Sequence, residues 1–506
     1  MNRKYLIAIL VIVIIIGVGA FVFSNSNTSG GSASVNVNAN ALEDIGNLVV
    51  NNTEDSKENS LISTQKNDLN SLLVTNNGKL TLKNSIINKT GNTQTSGDDA
   101  DFYGVNSGVL VNTNGSLDIS NVEIITNSKG SNGIFVTNSE TQISSSGNSS
   151  QSADASQPPE ATGQGGGDGG QPPEIPDGNG GQEMANGNGS SPQGGDPSGA
   201  SDVSGNTEAK VENVKITTYQ DKSRGLDATY NGKITANNVE INTNGGSCAA
   251  LATDRGEGEV HVTNSILNTG VDKQSGRGSP LIYSTGNITA ENTKGTSFVS
   301  QIACIEGKNS IELSNCDLTC YGEGNREDNG EYVDLGGVFI YQSMSGDANV
   351  GTSLFTAKNT KLSIAEDSKY YKTAPMIHVT NTACVINLEN SELNFGSGIF
   401  LDDSGQNQWG TQGSNGGNVE LNTKSEDIKG DVIVDNISSL KWNLENTKFN
   451  GAINSTGNTT VTIGSGSTWT LTGDSSVSSL VNNGKIEYGN YSITVNGKTY
   501  NSSNPL

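Results

Sequence analysis

Three arginines, each followed directly by glycine, are the first residues in this sequence whose chemistry could serve a ligand. They stand in "SRGLD", "DRGEG" and "GRGSP" as Arg224, Arg255 and Arg277. Three acidic residues lie near them in the sequence, namely Asp227, Asp254 and Glu257. Guanidinium groups pair well with carboxylates, so a row of such arginines could hold an acidic sugar. Isolated ion pairs in surface turns are the commoner explanation.

A second set of candidate residues follows a short apolar run near residue 400. "LDDSG" places Asp402 beside Asp403, but adjacent residues on a strand point to opposite faces, so at most one of them faces a groove. "NQWGTQG" places Trp409 in a glycine-rich loop, where an indole could stack on a sugar or could cap a structural repeat. The ligand surface predicted from these patterns comprises Arg224, Arg277, Asp402 and Trp409.

The chain carries no recognisable catalytic motif. Neither His261 nor His378 is followed by glycine, and both stand in alternating runs, so we expect strand residues rather than ligands. The acidic loop "YGEGNREDNGEYVD" (321–334) is long enough to fold around a cation, yet it has no EF-hand or nonapeptide calcium motif. We therefore assign no catalytic, cofactor-binding or metal-ligating residue, and Ca²⁺ is a cofactor candidate without motif support.

Charge excludes one class of partner. The chain has 29 basic and 53 acidic residues, a formal net charge of −24. Affinity for nucleic acid comes mainly from Lys and Arg that neutralise phosphates, so nucleic acid is not expected as a partner. Five cysteines are present; three stand in short apolar runs, which favours small buried side chains over disulfides or metal ligands.

The N-terminus predicts export. Arg3 and Lys4 precede an unbroken apolar run from Tyr5 to Phe23. Nineteen apolar residues suffice for a transmembrane helix, and the positive-inside rule places the following chain outside. The run is either a cleaved signal peptide or, as we favour, a retained signal anchor. The expected location is the cell membrane, single-pass with an extracellular body, or secreted if the run is cleaved.

One short phrase recurs along the chain with its polar letters changed. Examples are "LKNSIIN", "ANNVEIN" and "LENTKFN". The repeated asparagines are Asn84, Asn121, Asn213, Asn238, Asn264, Asn292, Asn315, Asn359, Asn390 and Asn446. Asn tolerates the left-handed conformation better than any residue except Gly, so we expect it to turn the chain, with stacked amides forming a ladder.

The spacing of these asparagines predicts the architecture. From Asn213 to Asn315 the gaps are 25, 26, 28 and 23 residues, and a period of this size indicates one structural unit stacked on its neighbours. Two short alternating runs precede each Asn and a third follows it, which is typical of strands. Three strands per unit predict an all-β chain: a single-stranded right-handed parallel β-helix solenoid, preceded by one N-terminal transmembrane helix.

These repeats resemble the right-handed parallel β-helix of pectin-lyase-like proteins and adhesin-like surface proteins. The resemblance covers roughly residues 74–500 with one interruption. The closing stretch "TVTIGSGSTWTLTGDSSVSSLVNNGKIEYGN" (460–490) looks like the last coils of autotransporter passenger domains. The resemblance implies an architecture, and it implies an activity only weakly.

The chain divides into six predicted regions. Residues 144–206 hold seven of the ten prolines and should form a disordered loop extruded from one coil. The regions are 1–23, the signal anchor or signal peptide; 24–73, a polar spacer and first irregular coil; 74–143, coils; 144–206, the Gly/Pro-rich insertion; 207–429, coils; and 430–506, closing coils.

These patterns favour an exported, membrane-anchored, adhesin-like protein. It would bind cell-surface or cell-wall polymers such as polysaccharides along an elongated acidic surface. Two alternatives stay open: a polysaccharide lyase or hydrolase of the pectin-lyase-like class, and a structural stalk of the cell envelope.

Overall fold

The protein is a β-helix-like solenoid built almost entirely from parallel strands. The computed structural model describes residues 33, 35–94, 97–139, 205–272, 278–324, 334–343 and 345–506. The predicted N-terminal helix (Tyr5–Phe23), most of the insertion and Arg277 lie outside the described residues.

One strand of each coil belongs to a thirteen-stranded parallel sheet, called sheet 1. Its members follow one another along the solenoid in chain order. They are Leu48–Asn51, Leu72–Thr75, Val109–Asn112, Ile134–Thr137, Leu226–Thr229, Leu251–Thr253, Ile282–Ser284, Ala303–Glu306, Val338–Tyr341, Ile377–Thr380, Ile399–Asp403, Asp431–Val434 and Ile453–Ser455.

The other strands of the coils form sheet 2, which has twenty-one members. Most coils contribute one segment before the asparagine turn and one after it, and in four coils the two are continuous. The members are Glu43–Gly46, Glu54–Glu58, Ser60–Thr64, Lys79–Lys89, Ser116–Thr126, Glu208–Thr218, Lys233–Thr243, Glu259–Thr263, Ile266–Thr269, Asn287–Glu291, Lys294–Ser297, Ser310–Ser314, Asp317–Cys320, Thr352–Lys358, Lys361–Ile364, Ala383–Glu389, Glu392–Asn394, Asn418–Lys424, Ser439–Glu445, Asn458–Ile463 and Ser479–Asn482.

Smaller elements complete the described part of the chain. Four parallel strands form a separate sheet in the last coils: Asp427–Lys429, Lys448–Asn450, Thr468–Thr470 and Lys485–Glu487. Ser475–Val477, Ile493–Val495 and Lys498–Tyr500 close the C-terminal end, the last two as an antiparallel pair. Glu323–Gly324 pairs antiparallel with Asp334–Leu335. The helices are a 3₁₀ turn, Ala39–Ala41, and an α-helix, Gly97–Tyr103.

The core is a set of apolar columns that run along the solenoid axis. In sheet 1 the in-register pairs place Leu226, Leu251, Ile282, Ala303, Val338 and Ile377 in one column, and all six are fully or nearly fully buried. The core is narrow because each short strand turns only one or two side chains inward. This explains how a chain with only 32% hydrophobic residues folds into a continuous solenoid.

Nine of the repeated asparagines occupy the turn inside sheet 2, and Asn446 occupies the equivalent turn between sheet 2 and the four-stranded sheet. All ten have φ between 48° and 54°. Two residues that the sequence pattern missed, Asn59 and Ser425, have φ of 52° and 57°. Each donates its backbone N–H to the next coil, as Asn292 and Asn315 do. Regular pairing also begins at strand Glu43–Gly46, within the range predicted to hold a spacer and an irregular coil.

Side-chain amides join these turns along the axis. Asn121 donates to Asn84 at 2.6 Å and Asn238 donates to Asn213 at 3.1 Å. The ladder has an interruption, because Asn264 donates to Asn237 Oδ1 at 2.7 Å. Asn387, Asn422 and Asn443 form a second amide stack on the outer face of sheet 2, with links of 3.1 and 2.8 Å.

All five cysteines are buried and none forms a disulfide. Burial raises the pKa of each thiol, to about 12 for Cys248 and Cys320. They are buried, protonated and unreactive.

Candidate functional site

The candidate site lies on the outer face of sheet 1, where one column of side chains is buried instead of exposed to water. In-register pairing aligns Asp227, Ala252, Tyr283, Cys304, Phe339, His378 and Asp402 on this face. Outward residues of a solenoid usually meet water, yet Asp227 is 0% exposed and His378 only 1%. The column is therefore covered by chain from outside the repeats.

Three excursions from the coils provide this cover. The helix Gly97–Tyr103 reaches over the sheet, and Thr229 donates to the Phe102 carbonyl oxygen at 2.9 Å. A loop after strand Val338–Tyr341 is held by Asn381, which donates to Gln342 O at 2.8 Å. The loop that carries Trp409 is held by Asn415, which donates to Trp409 O at 2.8 Å. Together they enclose a cleft of about 520 Å³.

One wall of the cleft is aromatic. Phe339 stacks on Tyr341 with ring centroids 4.5 Å apart, and Trp409 tilts against both at 5.2 Å. Tyr283 lines the same side, and the ring of His378 stacks on the far face of Phe339 at 5.6 Å. An aromatic surface exposed within a cleft is suited to the apolar face of a sugar ring or to a cation.

The opposite wall is acidic and is organised by Arg224. Its guanidinium lies 2.7 Å from Asp254, 3.2 Å from Asp101 and 3.6 Å from Asp227. Lys222 adds a second contact to Asp101 at 2.8 Å. Asp101 comes from the covering helix and the other two acids come from consecutive coils, so Arg224 joins the helix to the solenoid.

Burial around Arg224 shifts the carboxyl groups toward their protonated forms. Burial raises the pKa of Asp227 to about 7, with Arg224 opposing the shift and Asp101 adding to it. Burial also raises the pKa of Asp254, again against the effect of Arg224. Three carboxyl groups around one guanidinium cannot all ionise without cost.

Further acidic groups line or adjoin the cleft. Asp347 lies 2.5 Å from Arg255, whose guanidinium sits 3.8 Å over the Phe102 ring. Glu323 accepts a hydrogen bond from Ser300 at 2.8 Å. Glu306 lies behind Tyr283, which donates to it at 2.8 Å; burial raises the pKa of Glu306, while hydrogen bonds from Ser343 and Tyr283 lower it.

Of the ligand residues predicted from the sequence, two line the cleft and one lies beside it. Arg224 and Trp409 both line the cleft. Asp402 faces outward beside it, with Oδ2 3.5 Å from His378 Nδ1. Burial raises the pKa of Asp402, but His378 and a hydrogen bond from Ser404 together outweigh burial, and the net shift of the pKa is downward. Asp403 points into the core and is 0% exposed.

The other residues flagged in the sequence lie elsewhere. Glu257 pairs with Lys308 at 2.6 Å, and His261 contacts Thr289 Oγ1 at 2.8 Å on the outer face of sheet 2. Within the described residues, no group of three or more His, Cys, Asp or Glu side chains is placed to hold a metal ion. Most of the acidic loop 321–334 lies outside them.

Several lining residues were missed by sequence reasoning: Asp101, Tyr283, Phe339, Tyr341 and Asp347. Glu323 also lines the cleft and belongs to the acidic loop 321–334 that the sequence had singled out for a cation. For Tyr283 and Phe339 a signal was present. Both occupy the polar-facing position of a sheet 1 strand, in "PLIYS" and "GVFIY", where an aromatic residue is unexpected on a solvent-facing surface.

The fold and the cleft define a class of protein: a parallel β-solenoid with one elaborated acidic and aromatic cleft on its flank. No family of known proteins matches the chain, and a search of characterised proteins found no match either. Among the helices of the described residues, none is long and apolar enough to cross a membrane.

Proposed function

We propose that the protein is an exported, adhesin-like surface protein that binds a saccharide chain in the sheet 1 cleft. The observation that carries the proposal is the aromatic wall of Phe339, Tyr341 and Trp409, which faces hydrogen-bonding carboxyl groups across a cleft of about 520 Å³. Aromatic rings pack against the apolar faces of sugars, and polar groups opposite them select the hydroxyl pattern.

The cell-surface part of the proposal rests on the sequence. The apolar run Tyr5–Phe23 with its preceding basic residues would serve as a single-pass membrane anchor or an export signal. The body would extend outside the cell as a right-handed, single-stranded β-helix of the pectin-lyase-like kind. An elongated solenoid suits this role because it carries a binding cleft away from the membrane.

The charge distribution argues against a lyase that acts on acidic polysaccharide. The guanidinium of Arg224, the sequence-predicted contact for an acidic sugar, is engaged by three carboxyl groups. Its positive charge is therefore already balanced within the protein, which disfavours a role in neutralising a uronic acid or acting as a base. A hydrolase is the second candidate, since Asp254 lines the cleft with a raised pKa, as a general acid requires.

The testing experiment is a glycan and polysaccharide array probed with the full chain, with calcium and with chelator. The array wells are then assayed for new reducing ends and unsaturated products. We expect binding without products, and loss of binding in Trp409→Ala. Products would replace the adhesin proposal with the hydrolase. An array without any bound glycan would overturn saccharide binding and leave the structural stalk.

A further inference from the structure

We propose that the ligand of the sheet 1 cleft is a saccharide that carries free amino groups, such as a chain of hexosamines without N-acetyl groups. This inference rests on the proposed function, because it names the class of sugar that the same cleft would accept. Three features of the cleft support it: its charge balance, one incompletely satisfied carboxyl group and its aromatic wall.

The lining of the cleft has an excess of acidic groups. Asp101, Asp254, Glu323 and Asp347 line it, whereas Arg224 is the one basic side chain among the described lining residues. Counting the groups behind the lining adds Asp227 and Glu306 on one side, and Lys222 and Arg255 on the other. Among the described residues, six carboxyl groups thus face three cations in a partly water-excluded site. Burial raises the pKa of Asp227, Asp254 and Glu306, and an added positive charge favours the ionised form of each.

Asp254 shows that the excess is not fully satisfied within the protein. It is 4% exposed and lines the cleft. Its Oδ2 lies 2.7 Å from Arg224 Nη2 but accepts no hydrogen bond of good geometry among the described residues. A buried carboxyl oxygen without an aligned donor is costly. An ammonium group with three donors would supply that donor and favour the ionised form of Asp254.

The aromatic wall is compatible with the same ligand. Ammonium groups are attracted to the faces of Trp, Tyr and Phe when they lie within about 6 Å of the ring centroid. The structure already contains one cation–π contact at the cleft, since the Arg255 guanidinium lies 3.8 Å over the ring of Phe102. An amino sugar would therefore meet carboxylates on one side and aromatic faces on the other, whereas an acidic sugar would be repelled by the first wall.

The test compares two probes of equal length on the full chain: the glucosamine hexamer and the N-acetylglucosamine hexamer. Calorimetric titration at pH 6.5 should give at least about 10-fold tighter binding of the glucosamine hexamer. The preference should weaken several-fold between 50 and 500 mM salt, because exposed charge attraction is screened over about 10 Å or less. This comparison is made on the unaltered protein, so it does not depend on the folding of any variant.

Glu323→Gln supplies the second arm. It removes one charge from the lining while the amide keeps an acceptor for Ser300. It should reduce glucosamine hexamer affinity about 3- to 10-fold and change N-acetylglucosamine binding by less. Glu312→Gln, an exposed residue on the outer face of sheet 2, is the matched control and should change neither.

The outcomes separate the two proposals. Equal or tighter binding of the N-acetylated hexamer would overturn the amino-sugar inference and leave saccharide binding in place. Binding of neither hexamer, together with a blank array, would overturn both.

Discussion

Asn213 donates its side-chain amide to Asn121 Oδ1 at 3.1 Å, although 92 residues separate the two in the chain. The backbone follows the same alignment, because strand Glu208–Thr218 pairs in register with Ser116–Thr126 across the whole insertion. The coils before and after the insertion are therefore direct neighbours, and the insertion point lies between strand Ile134–Thr137 of sheet 1 and strand Glu208–Thr218 of sheet 2.

Deletion of residues 140–204 should accordingly leave the solenoid intact. The remaining connection, Asn138-Ser139-Gly205-Asn206-Thr207, is already anchored, since Thr207 N donates to Asn138 Oδ1 at 3.1 Å and Asn206 N donates to Asn114 Oδ1 at 3.0 Å. Shortening a loop changes closure entropy only by about 0.6 kcal/mol per halving. We expect an unchanged circular dichroism spectrum and a thermal midpoint within about 3 °C. A lost or split unfolding transition would contradict the continuity of the coils.

The amide ladder makes a second prediction, which compares two turn asparagines with the same backbone conformation. Asn121 and Asn292 have φ of 53° and 50°, so glycine fits at either position. Asn121 bonds to Asn84 and Asn213 through its side chain, whereas Asn292 forms no side-chain hydrogen bond among the described residues. Both variants share any effect of glycine on the backbone. Beyond that shared effect, Asn121→Gly should lower the free energy of unfolding by about 2 kcal/mol, and Asn292→Gly should lower it by less than about 0.5 kcal/mol.

Equal losses in the two variants, measured by urea denaturation, would show that the turn conformation matters and that the ladder does not.

Removal of the cation at the centre of the acidic wall should be strongly destabilising. Arg224→Met leaves Asp101, Asp227 and Asp254 without their shared cation, and loss of one partner of a buried pair typically costs about 3–5 kcal/mol. Adding Asp227→Asn and Asp254→Asn to the same variant should recover at least half of the loss in denaturant unfolding.

Lys233→Met is the matched control, because it breaks an exposed pair with Glu259 at 2.9 Å that should contribute less than about 1 kcal/mol. Failure of the neutralising substitutions to restore stability would contradict the electrostatic account.

Glu426 predicts a pH-dependent stability. Burial raises its pKa to about 7, while the Ser391 backbone N–H, which donates to Oε1 at 2.9 Å, opposes the shift. A carboxyl group whose folded pKa exceeds its unfolded value favours the folded state at low pH, and this contribution is lost as the pH rises from about 4.5 to about 7. Glu426→Gln keeps the acceptor and removes the charge.

The variant should therefore match the wild type at pH 4 and exceed it by on the order of 2 kcal/mol at pH 8. Thermal melts at both values, with the exposed Glu312→Gln as control, provide the measurement. A gap of the same size at both pH values would show that Glu426 acts through packing and not through its charge.

The repeat architecture was predictable because it rests on local rules. Each turn requires one residue at positive φ, and Asn meets that requirement cheaply, so the repeated phrase marks the coil. The pattern missed Ser425 because a serine replaces the asparagine at that turn. It missed Asn59 because the preceding strand, Glu54–Glu58, contains no apolar residue.

The cleft was predictable only in part. "SRGLD" drew attention to Arg224 and Asp227, and "DRGEG" drew attention to Asp254; the structure places both acids in contact with Arg224. Its other partner, Asp101, lies 123 residues away in the chain on a helix inserted between coils. The repeat period does not predict a helix inserted between coils, so the position of this helix on sheet 1 depends on tertiary packing alone.

Fluorescence of Trp409 during saccharide titration tests saccharide binding in the cleft most directly. Trp442 and Trp469 are fully buried in the core, so a ligand-induced change in emission reports on the indole that lines the cleft. The full chain is titrated with the glucosamine and N-acetylglucosamine hexamers and with the best array glycan, beside Trp409→Phe and the exposed control Tyr491→Phe. The account predicts a saturable shift in the wild type and in Tyr491→Phe, and none in Trp409→Phe. Saturable binding by calorimetry without any change in Trp409 emission would place the ligand outside the cleft and contradict the account.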